Sequence, residues 1–278
     1  MYQGSINKST WEKVLNFIAS AEEKTPYLLI DRDVVIRKAR LIGKGIDNSK
    51  VFYAVKAHPD IEVVRLIDSL DLNFEIASEG ELGLLRELGV SPERIISSNP
   101  VKSPDFIREA YSYGIRYFAF DSRAEVEKLS LYAPDSSVYV RLSVPNEGSD
   151  WPLSKKFGVE PDRALELLLH AKERGLRPVG ITFHVGSQCK NIYNWSTALD
   201  KVAHIWQSAR QEGIQLTLLN IGGGYPIRYI SDVVDIAEIE AMVNRILKDH
   251  FPGMPQVHIE PGRAVIGDAG VFVTSVIG

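Results

Sequence analysis

Four clusters of polar residues in this chain of 278 residues have types and spacing that chemistry could use, and each follows a short apolar run. Lys56 closes Val51-Phe-Tyr-Ala-Val-Lys56. A lysine flanked by apolar residues should be partly desolvated, which depresses its pKa and suits it to Schiff-base chemistry. The bland alternative is a lysine that snorkels to solvent at a strand end. His184 and Ser187 stand in Thr182-Phe-His184-Val-Gly-Ser187. A lone histidine there is more often a packed core group than a catalytic one, and Ser187 could bind an anion in a turn. Asn220-Ile-Gly222-Gly223-Gly224-Tyr-Pro226 carries three successive glycines. Their backbone can approach a ligand closely and present consecutive N–H groups, the usual device for a phosphate. Finally, His258-Ile-Glu260-Pro-Gly262-Arg263 supplies a carboxylate and a guanidinium. Arg263 could add a charge-assisted contact to the same phosphate, or simply pair with Glu260.

These clusters need elements to hold them, and the sequence alternates short β-branched runs with longer amphipathic stretches. Candidate strands are Val51–Val55, Leu72–Ile76, Arg94–Ser97, Tyr117–Phe120, Ser137–Leu142, Pro178–His184, Gln215–Ile221 and Gln256–Glu260, with helical segments between them. Strands that alternate with helices imply right-handed crossovers and a parallel sheet. Eight such units predict a closed (β/α)8 TIM barrel, with the active site at the C-terminal ends of the strands. The rival is a doubly wound open sheet, which wants a glycine-rich turn after its first strand. Here that turn is Lys56-Ala-His-Pro59, with no glycine, so the barrel is favoured.

Before the barrel, Ser9-Thr-Trp-Glu12 reads as a capping box opening a helix to about Lys24, followed by a strand at Tyr27–Ile30 and a helix from Asp33 to Gly43. The expected division is 1–32 as part of a second domain, 33–263 as the barrel, and 264–278 as the start of a C-terminal β domain. The run Gly270-Val-Phe-Val-Thr-Ser-Val-Ile-Gly278 is β-type with nothing after it. Either it pairs with Tyr27–Ile30, or the chain is a fragment of something longer.

Composition narrows the classes. Hydrophobic residues make up 45% and charged residues 24%, as in a globular protein, and a net charge of -4 offers no basic face for nucleic acid. No apolar run approaches the roughly 18 residues of a membrane helix, and the N-terminus lacks an apolar signal region. The one cysteine, Cys189, excludes an internal disulfide and fits a reducing, cytoplasmic setting; it reads as a small packing residue.

If the barrel is right, an amine, an imidazole, an anion cradle, a carboxylate and a guanidinium converge on one rim. A phosphorylated aldehyde cofactor needs that set: lysine for the Schiff base, a dipole nest and arginine for the phosphate, an acid for the pyridine nitrogen. The chain resembles the fold-type III pyridoxal 5'-phosphate (PLP) decarboxylases, the alanine-racemase-like barrel enzymes acting on ornithine, lysine, diaminopimelate and arginine. Tyr53-Ala-Val-Lys56-Ala, Phe74-Glu-Ile-Ala-Ser78-Glu-Gly-Glu81-Leu, Lys156-Phe-Gly158, His184-Val-Gly-Ser187, Gly222-Gly-Gly224 and Glu260-Pro-Gly-Arg263 carry the resemblance, in the family's order.

The resemblance implies the roles. Lys56 would bond the cofactor's aldehyde and His184 would stack on its ring. Ser187, Gly222, Gly223, Gly224, Gly262 and Arg263 would hold the phosphate, and Glu260 would keep the pyridine nitrogen protonated. Glu81 sits where the family keeps an acid near the lysine, and Arg141 where it keeps an arginine lining the site. A basic amino acid would lose its carboxylate into the conjugated ring, a proton would return to Cα, and a diamine would leave.

Ser149-Asp-Trp-Pro-Leu-Ser-Lys-Lys-Phe-Gly158 and Phe183-His-Val-Gly-Ser-Gln188 look most like the bacterial ornithine/lysine decarboxylases. Three departures stand out. His58 replaces the usual asparagine, Glu75 the usual aspartate, and the family's following β domain, with its site cysteine, aspartate and tyrosine, has no counterpart. The expected whole is a cytoplasmic homodimer with composite sites, serving polyamine biosynthesis, with this chain alone weakly active or inactive. No metal is expected. The competing readings are a non-catalytic cofactor- or partner-binding homologue (the family includes antizyme-inhibitor-like members), a diaminopimelate decarboxylase-like enzyme, and a racemase or storage barrel. Glu260 argues against the last, since racemases of this fold place an arginine at the pyridine nitrogen.

Overall fold

The computed structural model describes residues 6–153, 156–251 and 253–278. Ser154 and Lys155, inside the Ser149–Gly158 motif, and the first five residues lie outside that set. In chain order the strands are β1 (Tyr27–Ile30), β2 (Ser49–Ala54), β3 (Asn73–Glu75), β4 (Ile95–Ile96), β5 (Tyr117–Phe120), β6 (Ser137–Leu142), β7 (Ser149–Trp151), β8 (Arg177–Phe183), β9 (Ser187–Cys189), β10 (Leu218–Asn220), β11 (Gln256–Ile259) and β12 (Gly270–Val273).

Eight of them form one parallel sheet in the order β4-β3-β2-β11-β10-β8-β6-β5. Its two edges meet through a parallel bridge from Ser97 to Phe118, with Ala119 N–H donating to Ser97 O at 2.8 Å. The barrel expected from the strand count is therefore present. All eight expected strands exist: β5 and β6 have the expected bounds, β2 and β8 start earlier and end one residue sooner, and β3, β4, β10 and β11 are shorter; Arg94, for instance, belongs to a 3-10 turn before β4.

Period-two alternation sorts each strand into two faces. Val51, Tyr53 and Val55, Val138, Val140 and Leu142, Ile181 and Phe183, and Val257 and Ile259 join the large core that the outer helices cover. The opposite parity faces the barrel axis, where Ala119, Tyr139 and Leu218 make a small separate cluster. Lys56, Glu75, Arg141, His184, Asn220 and Glu260 all share that inward parity. The register holds them level: Ala54 pairs with Glu75, Arg141 and Asn220 both pair with Thr182, and Asn220 pairs with His258.

Outside the barrel, β1 pairs antiparallel with β12, Tyr27 opposite Val273 and Ile30 opposite Gly270. The pairing expected for the terminal run is thus present, over Gly270–Val273. The first helix, Lys8–Ser20, ends before the expected Lys24 and is capped two residues earlier than expected, by Asn7, whose Oδ1 accepts from Thr10 N–H at 2.8 Å. The Ser9–Glu12 capping box does not form, because Ser9 already lies inside the helix. The next helix runs Arg32–Leu41 rather than Asp33 to Gly43, since Asp31 caps it through Asp33 N–H at 3.0 Å. A short antiparallel pair, β7 with β9, sets Trp151 opposite Ser187.

Candidate active site

Lys56 sits in a 3-10 turn, Val55–Ala57, immediately after β2. Its ammonium donates to Oε2 of Glu75, which is buried at the end of β3. The lysine lines a cavity of about 550 Å3 at the barrel mouth with His184, Ser187, Gly224, Glu260, Gly262 and Arg263. Leu28, Ile30, Gly270 and Phe272 of the β1–β12 pair form another part of its wall.

The expected depression of the Lys56 pKa is wrong in sign. Burial lowers it, but the carboxylates of Glu75, Glu260 and Glu81 together outweigh that cost and raise it. Tyr53 and Val55 pack outward into the core; the lysine itself faces acids supplied by other elements. Its side chain also keeps 56% of its exposure, through the cavity.

Glu260 is buried on the barrel axis one residue past β11. Its Oε1 accepts from Ser98 Oγ and from Asn220 Nδ2. Burial, and then the nearby Glu75, push its pKa upward, while Lys56, Ser98 and Asn220 pull it back. It makes no ion pair with Arg263.

Arg263 turns outward from Glu260. Its Nη1 donates to Tyr229 Oη at 2.6 Å and its Nε to Ser187 Oγ at 3.4 Å, with Cζ 4.6 Å from the centre of the Trp151 ring. An arginine so held, beside a serine hydroxyl, is a ready anion site.

His184 lies one residue past β8, and its Nδ1 accepts from Gly186 N–H at 3.0 Å. That contact puts any ring proton on Nε2. Burial, with Arg141 and Lys56 adding repulsion, lowers its pKa to about 3, so the ring is neutral at pH 7.

The glycine run is packed backbone to backbone. A Cβ on Gly222 would stand 2.4 Å from Phe183 O, one on Gly223 2.4 Å from Glu260 O, and one on Gly224 2.4 Å from Gly186 O. Gly222 and Gly224 also hold φ of +65° and +92°. Only glycine meets both demands.

Four expected site residues are not among the cavity's lining residues: Gly222 and Gly223, packed behind Gly224, and Glu81 and Arg141, which stand back from the group. Glu81 completes the N-terminus of the helix Glu79–Glu87: its Oε2 accepts from Ala77 N–H at 2.8 Å while its own N–H donates to Ser78 Oγ at 3.3 Å. It still acts on Lys56 by charge. Arg141 lies over the Phe157 ring at 5.0 Å, and burial lowers its pKa against the pull of Glu260, Asp121 and Glu75. Cys189 is buried, its thiol pushed up by that burial, and its N–H donates to Gly224 O at 2.8 Å.

Three neighbours of Glu260 were not singled out from the sequence, Ser98, Tyr139 and Asn220, whereas Glu75, noted there as a departure near the lysine, is its hydrogen-bond partner. Parity would have found Tyr139, which shares the inward face of β6 with Arg141, and Asn220, two residues before Gly222.

A (β/α)8 barrel with an amine, an acid, an imidazole and a glycine cradle on its C-terminal rim defines a class, the barrel-type PLP enzymes. The match is more specific than that: the family model for the pyridoxal-dependent decarboxylase, pyridoxal binding domain, covers residues 32–267, and the chain belongs to this family. It is 37% identical to the lysine/ornithine decarboxylase of Selenomonas ruminantium over 255 residues, 91% of this chain and 65% of that protein. It is 31% identical to antizyme inhibitor 2 of Xenopus laevis over 277 residues, 99% of this chain and 60% of that one. The chain thus spans less than two thirds of these relatives. The lysine/ornithine decarboxylase of Vibrio vulnificus complexed with putrescine superposes with a TM-score of 0.88 at 32% identity, covering 98% of this chain and 72% of that one. SrLDC in complex with PLP and cadaverine gives 0.88 at 34%, covering 100% and 70%.

The cofactor is pyridoxal 5'-phosphate, and the residues present fit it. Lys56 opens into a cavity, the crowded glycine run leaves no room for side chains, and Arg263 with Ser187 offers donors at the same mouth.

Proposed function

We propose that this chain supplies the cofactor-holding part of the active site of a decarboxylase that converts ornithine or lysine to a diamine. The observation that carries this reading is the meeting of Lys56, His184, Glu260 and Gly224, the last of the glycine run, at one cavity. The likeness to lysine/ornithine decarboxylases favours these substrates over diaminopimelate.

Bound PLP supplies an electron-accepting ring that makes cleavage of the substrate's Cα–carboxylate bond feasible. Lys56 is the covalent anchor. Its Nζ must shed a proton before it can bond the aldehyde carbon, and Glu75 Oε2, already hydrogen-bonded to it, is the acceptor in place. Glu260 presents a carboxylate to the ring nitrogen and keeps that nitrogen protonated. His184, neutral with its Nδ1 engaged, offers a flat uncharged face for the ring. Arg263 and Ser187, with the N–H groups of Gly223, Gly224 and Gly262, take the phosphate, while the Gly222 N–H is held by Asn220 Oδ1. Arg141 and Glu81 adjust the field around this group from a distance.

The reading extends to the whole protein as a cytoplasmic homodimer in polyamine biosynthesis, with the partner completing the substrate side. Residues 1–32 and 264–278 are read as parts of a second β domain, a division that the β1–β12 pairing supports. Apolar groups exposed near the mouth, Leu28, Trp151 and Phe272, offer surface for the partner, and sedimentation velocity at micromolar concentration tests for it. No helix among the described residues is long and apolar enough to cross a membrane.

A second reading, a homologue that binds a partner or the cofactor without turnover, draws on the likeness to antizyme inhibitor 2. Borohydride reduction in the presence of PLP, followed by peptide mass mapping, tests the core claim. A pyridoxyl adduct on Lys56 is expected; an adduct elsewhere, or none, sinks the enzyme reading. Carbon dioxide release from ornithine and from lysine then separates substrates, and an adduct without release favours the second reading.

A further inference from the structure

The charged and titratable groups around Glu260 come from several elements: Lys56 beyond β2, Glu75 on β3, and Tyr139 and Arg141 on β6. Ser98 beyond β4 and Asn220 on β10 add neutral donors. Two carboxylates, Glu75 and Glu260, share one buried mouth, and the charge of Glu75 opposes a second charge on Glu260. The neutral donors decide which state Glu260 keeps.

Chemistry fixes the direction of each of their bonds. Asn220 Oδ1 accepts from Gly222 N–H at 2.8 Å, so its amide nitrogen faces the other way. That nitrogen donates to Glu260 Oε1 and, at 3.2 Å, to Ser98 Oγ. Ser98 spends its own proton on Glu260 Oε1 and therefore accepts from Tyr139 Oη at 2.7 Å. Burial holds the Tyr139 phenol well above its usual range, so it remains a donor. Every proton of the network thus leads to Oε1, and no described residue donates to Oε2.

We propose that Ser98 and Asn220 are positioning residues that hold Glu260 as an anion by saturating Oε1, leaving Oε2 as the acceptor for the cofactor's ring N–H. This rests on the functional reading above. Asn220 also ties that carboxylate to the glycine turn, so the acceptor for the ring and the cradle for the phosphate move as one unit. An aspartate at this position could accept from Gly222 equally well, but it could not donate to a second carboxylate and would add a third negative charge. Only an amide serves both sides.

The test is a pH titration of the Glu260 carboxyl in the purified protein, with and without PLP, by carbon-13 NMR of glutamate-labelled samples, using Glu260→Gln to assign the resonance. Asn220→Asp keeps the acceptor toward Gly222 and removes only the donor. Ser98→Ala removes the second donor, and Ser98→Thr restores it. Asn220→Asp and Ser98→Ala should each raise the Glu260 midpoint by about one pH unit or more, because each deletes a hydrogen bond to an ionised group. Ser98→Thr should return it to the wild-type position.

A midpoint that stays put in both Asn220→Asp and Ser98→Ala overturns the proposal. The cofactor-free titration separates this from the functional reading. An unmoved midpoint beside an intact Lys56 adduct removes the network's role alone. A moved midpoint without an adduct removes the enzyme reading and leaves the hold on Glu260 standing.

Discussion

Lys56 and Lys102 both meet a buried glutamate, Glu75 in the first case and Glu125, 2.9 Å away, in the second. Around Lys56, Glu75, Glu260 and Glu81 outweigh the cost of burial, and the pKa rises. Around Lys102 the balance reverses: burial prevails over Glu125 and lowers the pKa to about 8. The Lys56 side chain keeps 56% of its exposure through the cavity, whereas that of Lys102 keeps none. Lys102 spends its protons on Asn99 O at 2.8 Å and Ala119 O at 2.6 Å, pinning the loop that carries Ser98 to β5. A perturbed lysine is thus no marker of a reactive site without access. The more strongly desolvated of the two is structural, and the one open to a ligand is the more basic.

The sharpest way to break this comparison is to remove each amine in turn. Lys56→Ala should abolish the pyridoxyl adduct and lower kcat by about 10^3-fold or more, with a smaller shift of the urea midpoint than Lys102→Met, because the open cavity admits water beside Glu75. Lys102→Met should do the reverse. It leaves Glu125, whose remaining cation Lys128 lies 2.6 Å away at the edge, in a sealed site, and should cost about 3 kcal/mol in unfolding free energy. The adduct on Lys56 should survive in the folded fraction. Loss of the adduct at unchanged stability in Lys102→Met would make the two regions one site and end the distinction.

A gentler change sharpens it. Glu75→Gln removes the carboxylate that does most to raise the Lys56 pKa and leaves a hydrogen-bonding group of equal size. The Lys56 pKa should fall by about one unit, so its acetylation rate at pH 8, followed by peptide mass mapping, should rise up to about tenfold. An unchanged rate would mean that Glu260 and Glu81 set the field instead.

The two lysines also show what a sequence discloses. Lys56, His184, the glycine run and Glu260 were legible because strand periodicity and crossover topology put strand-end residues on one rim, whatever the long-range detail. The direction of the Lys56 pKa was not, since it depends on acids delivered by β3, β11 and the helix Glu79–Glu87. Lys102, in Asn99-Pro-Val-Lys102-Ser, reads as a polar loop; its burial is made by Glu125 and Ala119, distant in sequence. The β7–β9 pair escaped because each strand is three residues long, too short to show a period, although it carries the Trp151 ring that packs on Arg263.

The smallest effect tests the comparison through pH alone. Lys102 has a folded pKa near 8 and an unfolded value of 10.5, so between those values the unfolded chain binds more protons than the native one. Its contribution to stability is therefore complete above about 10.5 and declines as pH falls toward 8, with a slope of at most about 1.4 kcal/mol per pH unit. Lys56 obeys the opposite sign. Its folded value lies above 10.5, so its contribution is complete below that pH and is lost only as pH climbs through the raised value. The windows adjoin without overlapping. Urea unfolding of wild type and Lys102→Met from pH 8 to 10.5 should show their difference growing with pH, whereas the difference between wild type and Lys56→Ala should stay flat there. Parallel curves for all three proteins would show that the sealed lysine is no more perturbed than the open one.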